Sequence, residues 1–353
     1  MIDRPPKPKR WKLYLPFVAL AVVGVGWSAF WNVAAGMTES GLDDWFAQER
    51  SLGREWTCPN RSVGGYPFRL EVRCAAPRFT GRIGAITGAG SVGDVLVAAN
   101  LYNPSLIMAE VGAPLAFKAQ DGSLDLSLAW SHLQASHRVR KGALDRDSLE
   151  IEGPVLRIAG ADMPVIAAKA ELFEAHLRPN PDRAAAVSAM DLALRLNKLE
   201  APALDALTGA SGPLDAVLAA TVLQTAAARG ANLAQTLDTW RQADGKVEIR
   251  EAKIAKGEAR VEANGALELD MAHRLAGRVE FELTGLGPLL QKLGVPAGNV
   301  AIGGLLGGML GGKVPVGQNQ SGGRGVLRLP LDLNQGRAMI GPIRLPVVLN
   351  PLY

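Results

Sequence analysis

Four groups of side chains in this 353-residue chain have types and spacing that chemistry uses. Cys58 and Cys74 bracket CPNRSVGGYPFRLEVRC and are the only cysteines. GAGSVG, residues 88–93, has the glycine spacing of a dinucleotide-binding loop. His132 and His137 stand five apart in WSHLQASH, and Asp145, Asp147, Glu150 and Glu152 gather four carboxylates. A dinucleotide loop must follow a strand and open a helix, with an acidic residue ~20 positions on. Here DVLVAAN, from Asp94, reads as a strand. Five residues apart puts the two histidines on opposite faces of a strand, off the i,i+4 spacing of helical zinc ligands. Glu150 and Glu152 share the solvent face of LEIEG, where charges also discourage unwanted strand pairing. With no Walker loop, GxSxG elbow or HExxH, no catalytic, cofactor-binding or metal-binding residue is expected, and the chain reads as non-enzymatic.

The cysteines depend on the compartment, which the N-terminus sets. Residues 13–32, LYLPFVALAVVGVGWSAFWN, carry no charge. As a helix they cover roughly 30 Å, the thickness of a bilayer core. Arg4, Lys7, Lys9, Arg10 and Lys12 precede this run, with Trp11 at one end and Trp27 and Trp31 at the other. Basic residues stay on the cytoplasmic side and indoles settle at the interfaces, so residues 1–12 are expected inside, 13–32 across the membrane and 33–353 outside. A cleaved signal peptide is the alternative, because Asn32-Val33-Ala34 loosely resembles a cleavage site, but the apolar run exceeds the usual h-region of ~7–15 residues. Residues 1–12 hold five of the 38 basic and one of the 34 acidic side chains, which is the whole net charge of +4. The remainder is balanced, so no nucleic-acid groove is expected. Outside the cytoplasm two cysteines sixteen apart are expected to form a disulfide, a staple on a hairpin, rather than a redox or zinc pair.

The rest of the chain must be built mostly from strands. A short amphipathic helix, residues 41–54, is expected after the membrane span, capped by Thr38 or Ser40, with Trp45 and Phe46 facing the sheet. FRLEVRC, DVLVAAN, SLDLSLAW, LEIEG, KVEIR, ARVEA, ALELD, RVEFEL and GVLRLPLDL alternate with period two, and MDLALRL from Met190 adds another strand. The fold class expected is α+β, mainly β: a long curved antiparallel sheet, as a trough or a sandwich, behind the N-terminal span. Alanine-rich residues 200–244 are expected as a helical segment, including PLDAVLAATVLQTAAA from Pro213, and the glycine run 303–312 as a loop. So many amphipathic strands need a cover for their apolar face, and one helical segment is too little. Either two sheets close on each other, or the face takes a lipidic ligand. The candidate groove is Phe68, Leu70 and Val72; Leu126, Leu128 and Trp130; Val279, Phe281 and Leu283; Leu329 and Leu331. Core packing is the competing reading for each.

GYPFR from Gly65, LYNP from Leu101, WRQADG from Trp240, GALELD from Gly265 with Gly277 after it, and GRAMIGP from Gly336 together resemble DUF2125 (domain of unknown function 2125), a family of uncharacterised bacterial envelope proteins. The strands over residues 246–283 also resemble the C-terminal repeats of AsmA-like proteins. That resemblance implies an inner-membrane anchor, a periplasmic β-domain and phospholipid handling in envelope homeostasis. The partners it implies are the bilayer, a lipid ligand and other envelope proteins; a scaffold that binds such proteins is the second reading.

Overall fold

The computed structural model describes residues 11–84, 86–161, 163–208, 211–230, 232–285, 327–341 and 343–353. The glycine run 303–312 lies outside them.

The apolar span and the amphipathic segment after it are one continuous helix, α1 (Trp11–Ser51), rather than two. No proline follows Pro16, and isolated glycines such as Gly36 and Gly41 cost only ~1 kcal/mol each. The stretch after residue 26 gains support from packing on the first strands and turns of the sheet. Trp45 lies 5.9 Å from Trp56 of β1 (Arg54–Thr57), and Arg61 sits over the Phe46 ring at 5.7 Å. Glu49 accepts from Arg54 at 2.6 and 2.7 Å and from the Trp56 indole at 3.2 Å. Those donors, Arg54 first, hold the Glu49 carboxyl below its ordinary range.

Beyond β2 (Ser62–Gly64) the chain repeats one move. β3 (Arg69–Cys74) bends and runs on as β4 (Arg78–Ile83); a turn brings back β5 (Ile86–Ser91), which bends into β6 (Val95–Asn100). The pattern continues through β7 (Asn103–Val111) and β8 (Leu115–Ala119), β9 (Asp125–Ala129) and β10 (His132–Arg140), β11 (Ala143–Glu152) and β12 (Val155–Gly160), and β13 (Met163–Lys169) and β14 (Leu172–Pro179). One half of every bent strand joins a seven-stranded antiparallel sheet, β1-β4-β5-β8-β9-β12-β13. The other half joins a fifteen-stranded sheet that begins β2-β3-β6-β7-β10-β11-β14. The neighbour order is the same on both sides, so the two sheets are one sheet creased across its middle. Backbone bonds cross at the crease, among them Val92 N to Pro77 O at 3.1 Å, Gly112 N to Asp94 O at 2.7 Å and Gly153 N to Glu171 O at 2.8 Å. Pro77, Pro114 and Pro154 sit at three of the bends, where a residue without an N–H ends a ladder. A Cβ on Gly93 would lie 2.5 Å from the Gly112 carbonyl, so this part of the crease tolerates only glycine.

The fifteen-stranded sheet then continues alone, through β15 (Met190–Leu199), β16 (Leu214–Val222), β17 (Lys246–Lys256), β18 (Ala259–Leu269), β19 (Leu275–Thr284), β20 (Leu327–Asn334), β21 (Arg337–Ile340) and β22 (Ile343–Val348). Two expectations are corrected here. The helix expected from Pro213 is instead β16, a central strand, because Leu214 to Val222 pair with both β15 and β17, and tertiary pairing overrides a weak alanine propensity. ARVEA and ALELD form the single strand β18 rather than two. Among the described residues of this region, helix is limited to α2 (Pro202–Thr208) and α3 (Leu233–Gln242), apart from a 3-10 turn at Thr225–Ala227. Asn232 caps α3 by accepting from Gln235 N at 2.9 Å, and Trp240 pins it to the sheet by donating to Leu223 O at 2.7 Å.

The Cys58–Cys74 bridge is present, with Cα atoms 5.4 Å apart, but it is more than a hairpin staple. Cys58 follows β1 of the smaller sheet, whereas Cys74 ends β3 of the larger one. It ties the two walls together where they meet.

Candidate functional apolar face

Antiparallel pairing puts directly opposed residues on the same face, so the register can be followed from strand to strand. Starting at β2, one row reads Val63, Val72, Val97, Ala109, Ala135, Leu149 and Ala175. It goes on through Leu194, Leu218, Ala252, Ala263, Phe281 and Leu329 in β20. Every position is apolar. At ~4.8 Å per strand the row runs for roughly 58 Å. The row beside it, which includes Leu70, Ala99, Ile107, Leu177, Leu192, Ala220, Ile249, Val279 and Leu331, is interrupted by a single polar pair, His137 opposite Asp147.

This face is not sealed. Among the described residues only eleven apolar side chains are buried, and seven of those are alanines, so no close-packed core covers the sheet. Ile107 and Ile254 keep 38% and 44% of their surface. A cavity of about 400 Å³ opens on this face over Ile107, Ala135, Leu149, Ala175 and Leu177. His137 and Asp147 border it, with Nδ1 and Oδ1 2.6 Å apart. A second cavity, about 480 Å³, lies at the crease beside Cys74, Asp94 and Trp130.

The expected groove residues separate into three groups. Leu70 and Val72 in β3, Val279, Phe281 and Leu283 in β19, and Leu329 and Leu331 in β20 share the apolar face of the large sheet. β3 and β19 are ten places apart in the strand order, so these residues belong to one long face and to no single pocket. Leu126 and Leu128 are in β9 of the smaller wall, where Trp56, Phe79, Phe117, Leu126, Ile158 and Ile166 occupy a row of their own with Gly90. Trp130 stands at the bend after β9, its indole donating to Val111 O at 2.7 Å. Phe68 is in the turn before β3, with its ring 6.3 Å from Trp27 of α1. Sequence reasoning read LEIEG, MDLALRL and KVEIR as strands but left the middle of the face out of the groove, because β14 and β16, where small alanines dilute the alternation, were not recognised as the strands that join them.

The motifs weighed for chemistry lie in strands: GAGSVG mainly in β5, His132 and His137 in β10, and the four carboxylates in β11. A Cβ on Gly88 would stand 2.3 Å from Lys118 O of the neighbouring strand β8. No group of three His, Cys, Asp or Glu among the described residues is placed to hold a metal ion. The opposite face of the large sheet is charged and paired. Asp191 accepts from Asn180 at 2.8 Å and from Thr221 at 2.9 Å, with Arg178 and Arg250 at 3.4 and 3.5 Å. Burial acts to raise the Asp191 carboxyl, but the hydrogen bonds and the two guanidinium groups outweigh it and hold it below its ordinary value.

A family model described as an uncharacterised protein conserved in bacteria, DUF2125, matches residues 31–347. No curated protein and no solved structure matches the chain.

Proposed function

The chain belongs to this uncharacterised bacterial family, and from that premise we propose that it is an inner-membrane-anchored periplasmic protein that binds or handles lipid on the apolar face of its long sheet. The observation that carries the reading is the thirteen-residue apolar row, partly exposed at every position except buried Ala263 and free of charge from Val63 to Leu329. An apolar strip of that length left facing water favours association, and monomeric proteins seldom expose patches above a few hundred Å². Acyl chains fit it chemically because they ask for continuous CH surface and no hydrogen bonds. The N-terminal helix supports the anchor: residues 14–51 include a window apolar enough to cross a bilayer, none of it buried by the rest of the chain.

Photo-crosslinking tests the reading. A benzophenone amino acid at Leu218, on the apolar row, is expected to capture phospholipid in cells, and the same group at Val217, on the opposite face, is not. Equal capture at the two sites, or none at either, overturns it. A discrete protein adduct at Leu218 without lipid favours the scaffold reading.

A further inference from the structure

The turn between β2 and β3 is fastened to the membrane helix. Trp27 donates its indole N–H to Pro67 O at 2.7 Å and Trp31 to Arg69 O at 2.8 Å, while the hydroxyls of Ser28 and Tyr66 meet at 2.8 Å. The Trp31 and Tyr66 rings stand edge to face at 5.5 Å. Further along α1, Asp43 pairs with Arg61 at 2.7 Å, and Glu49 reaches β1. Trp27 and Glu49 are about 33 Å apart along a helix, so α1 lies alongside the β2–β3 hairpin, with the turn at its membrane end. Tryptophans at the end of a span sit at headgroup depth, and this turn is in hydrogen-bond contact with two of them.

The turn is built to be there. Tyr66 and Phe68 are 56% and 60% exposed despite their ring contacts with α1. The adjacent β6–β7 turn comes alongside through Leu101 N to Phe68 O at 2.9 Å, and it presents Tyr102, 72% exposed. Next on the same edge is the β10–β11 turn, where Arg138 lies directly opposite Arg146 and exposed Lys141 occupies the bend. Like charges directly opposed are destabilising, and among the described residues neither arginine has an acidic partner. An anion between them removes that repulsion.

We propose that these three turns form a docking edge for the outer leaflet of the bilayer that α1 crosses. Tyr66, Phe68 and Tyr102 lie in the headgroup layer, and Arg138, Lys141 and Arg146 bind the phosphates of anionic lipids. The proposal rests on the reading of α1 as a membrane span, but not on lipid occupying the apolar rows. It places the β2 end of those rows at the bilayer surface.

The full-length chain in nanodiscs tests it, with headgroup spin-labelled lipids for positions 103, 143 and 161 and lipids spin-labelled near the acyl-chain end for position 22. Single fluorophores are attached through Asn103→Cys beside the β6–β7 turn, Ala143→Cys beside the β10–β11 turn, Ala161→Cys at the far end of the bent strands, and Val22→Cys inside the span. Quenching at position 103 is expected to exceed that at 161 several-fold. Quenching at 143 is expected to require phosphatidylglycerol, to fall in high salt and to be lost in the Arg138→Ser/Arg146→Ser variant. Equal quenching at 103 and 161, or indifference of 143 to anionic lipid, overturns the docking edge. Loss of deep quenching at 22 overturns the anchor and the docking edge together; the Leu218 crosslink reports on the apolar row in either case.

Discussion

The two faces of the fifteen-stranded sheet are built from the same strands and differ in what satisfies them. On one face, Glu71 contacts Arg69 and Arg73, Glu174 contacts Arg195, Asp191 gathers Arg178 and Arg250, Lys246 reaches Glu268, and Glu282 meets Arg328. These charges answer partners along their own strand, as at Glu71, or on other strands, whereas Arg138 and Arg146 on the same face stand opposed. On the other face the rows are apolar, and no second layer of the described residues packs against them. Ordinary antiparallel sheets solve this by placing a core on the apolar side. Here backbone pairing, the crease and the charged face hold the sheet, and the apolar face is the one on which we propose that a ligand binds.

If that division holds, substitutions on the two faces should have opposite signatures, and breaking the frame should affect both. The largest effect is expected from Cys74→Ser, which removes the tie between the walls. Closing a loop of this length is worth about 3 kcal/mol in the chain-entropy model, and the loss should appear as a lower denaturant midpoint. Reduction of the native protein should reproduce it. Asp191→Asn should come next, costing about 2 kcal/mol because Thr221 and Asn180 lose a carboxylate acceptor in a buried site, with lipid capture at Leu218 unchanged.

The pH dependence sharpens the same point. Because the folded-state pKa of Asp191 is depressed, its stabilisation is present above the ordinary carboxylate pKa of about 3.9 and is lost as pH falls through the lower folded value. The stability gap between wild type and Asp191→Asn should therefore be constant near neutrality and close in acid, below about pH 4. The smallest stability change is expected on the apolar face. Ile254→Ser, at a half-exposed position, should cost under about 1 kcal/mol while markedly reducing lipid capture. A large stability loss at Ile254, or lost capture in Asp191→Asn, would break the comparison between the faces.

Most of the strands could be read from the sequence, because FRLEVRC, KVEIR or RVEFEL alternate strictly and mark which side is apolar. Where alternation is diluted, reading failed. β16 carries alanine on both faces and resembles a helix until β15 and β17 bracket it. The His137–Asp147 pair was hidden for a different reason. The two residues come together only because Lys141 and Gly142 set the hairpin register, which brings an acid and a base ten residues apart into opposition.

The sequence by itself determined the membrane-competent helix, the β-rich class, the disulfide partners and the apolar side of most strands, since each follows from local periodicity, charge or cysteine count. Only the tertiary structure decided that the strands bend in register into one creased sheet, that the bridge spans the crease and that the GYPF turn clasps the helix. It also decided that the apolar residues line up into rows across the strands. Those features depend on which residue stands opposite which, and register is set by long-range pairing that no stretch of chain carries alone.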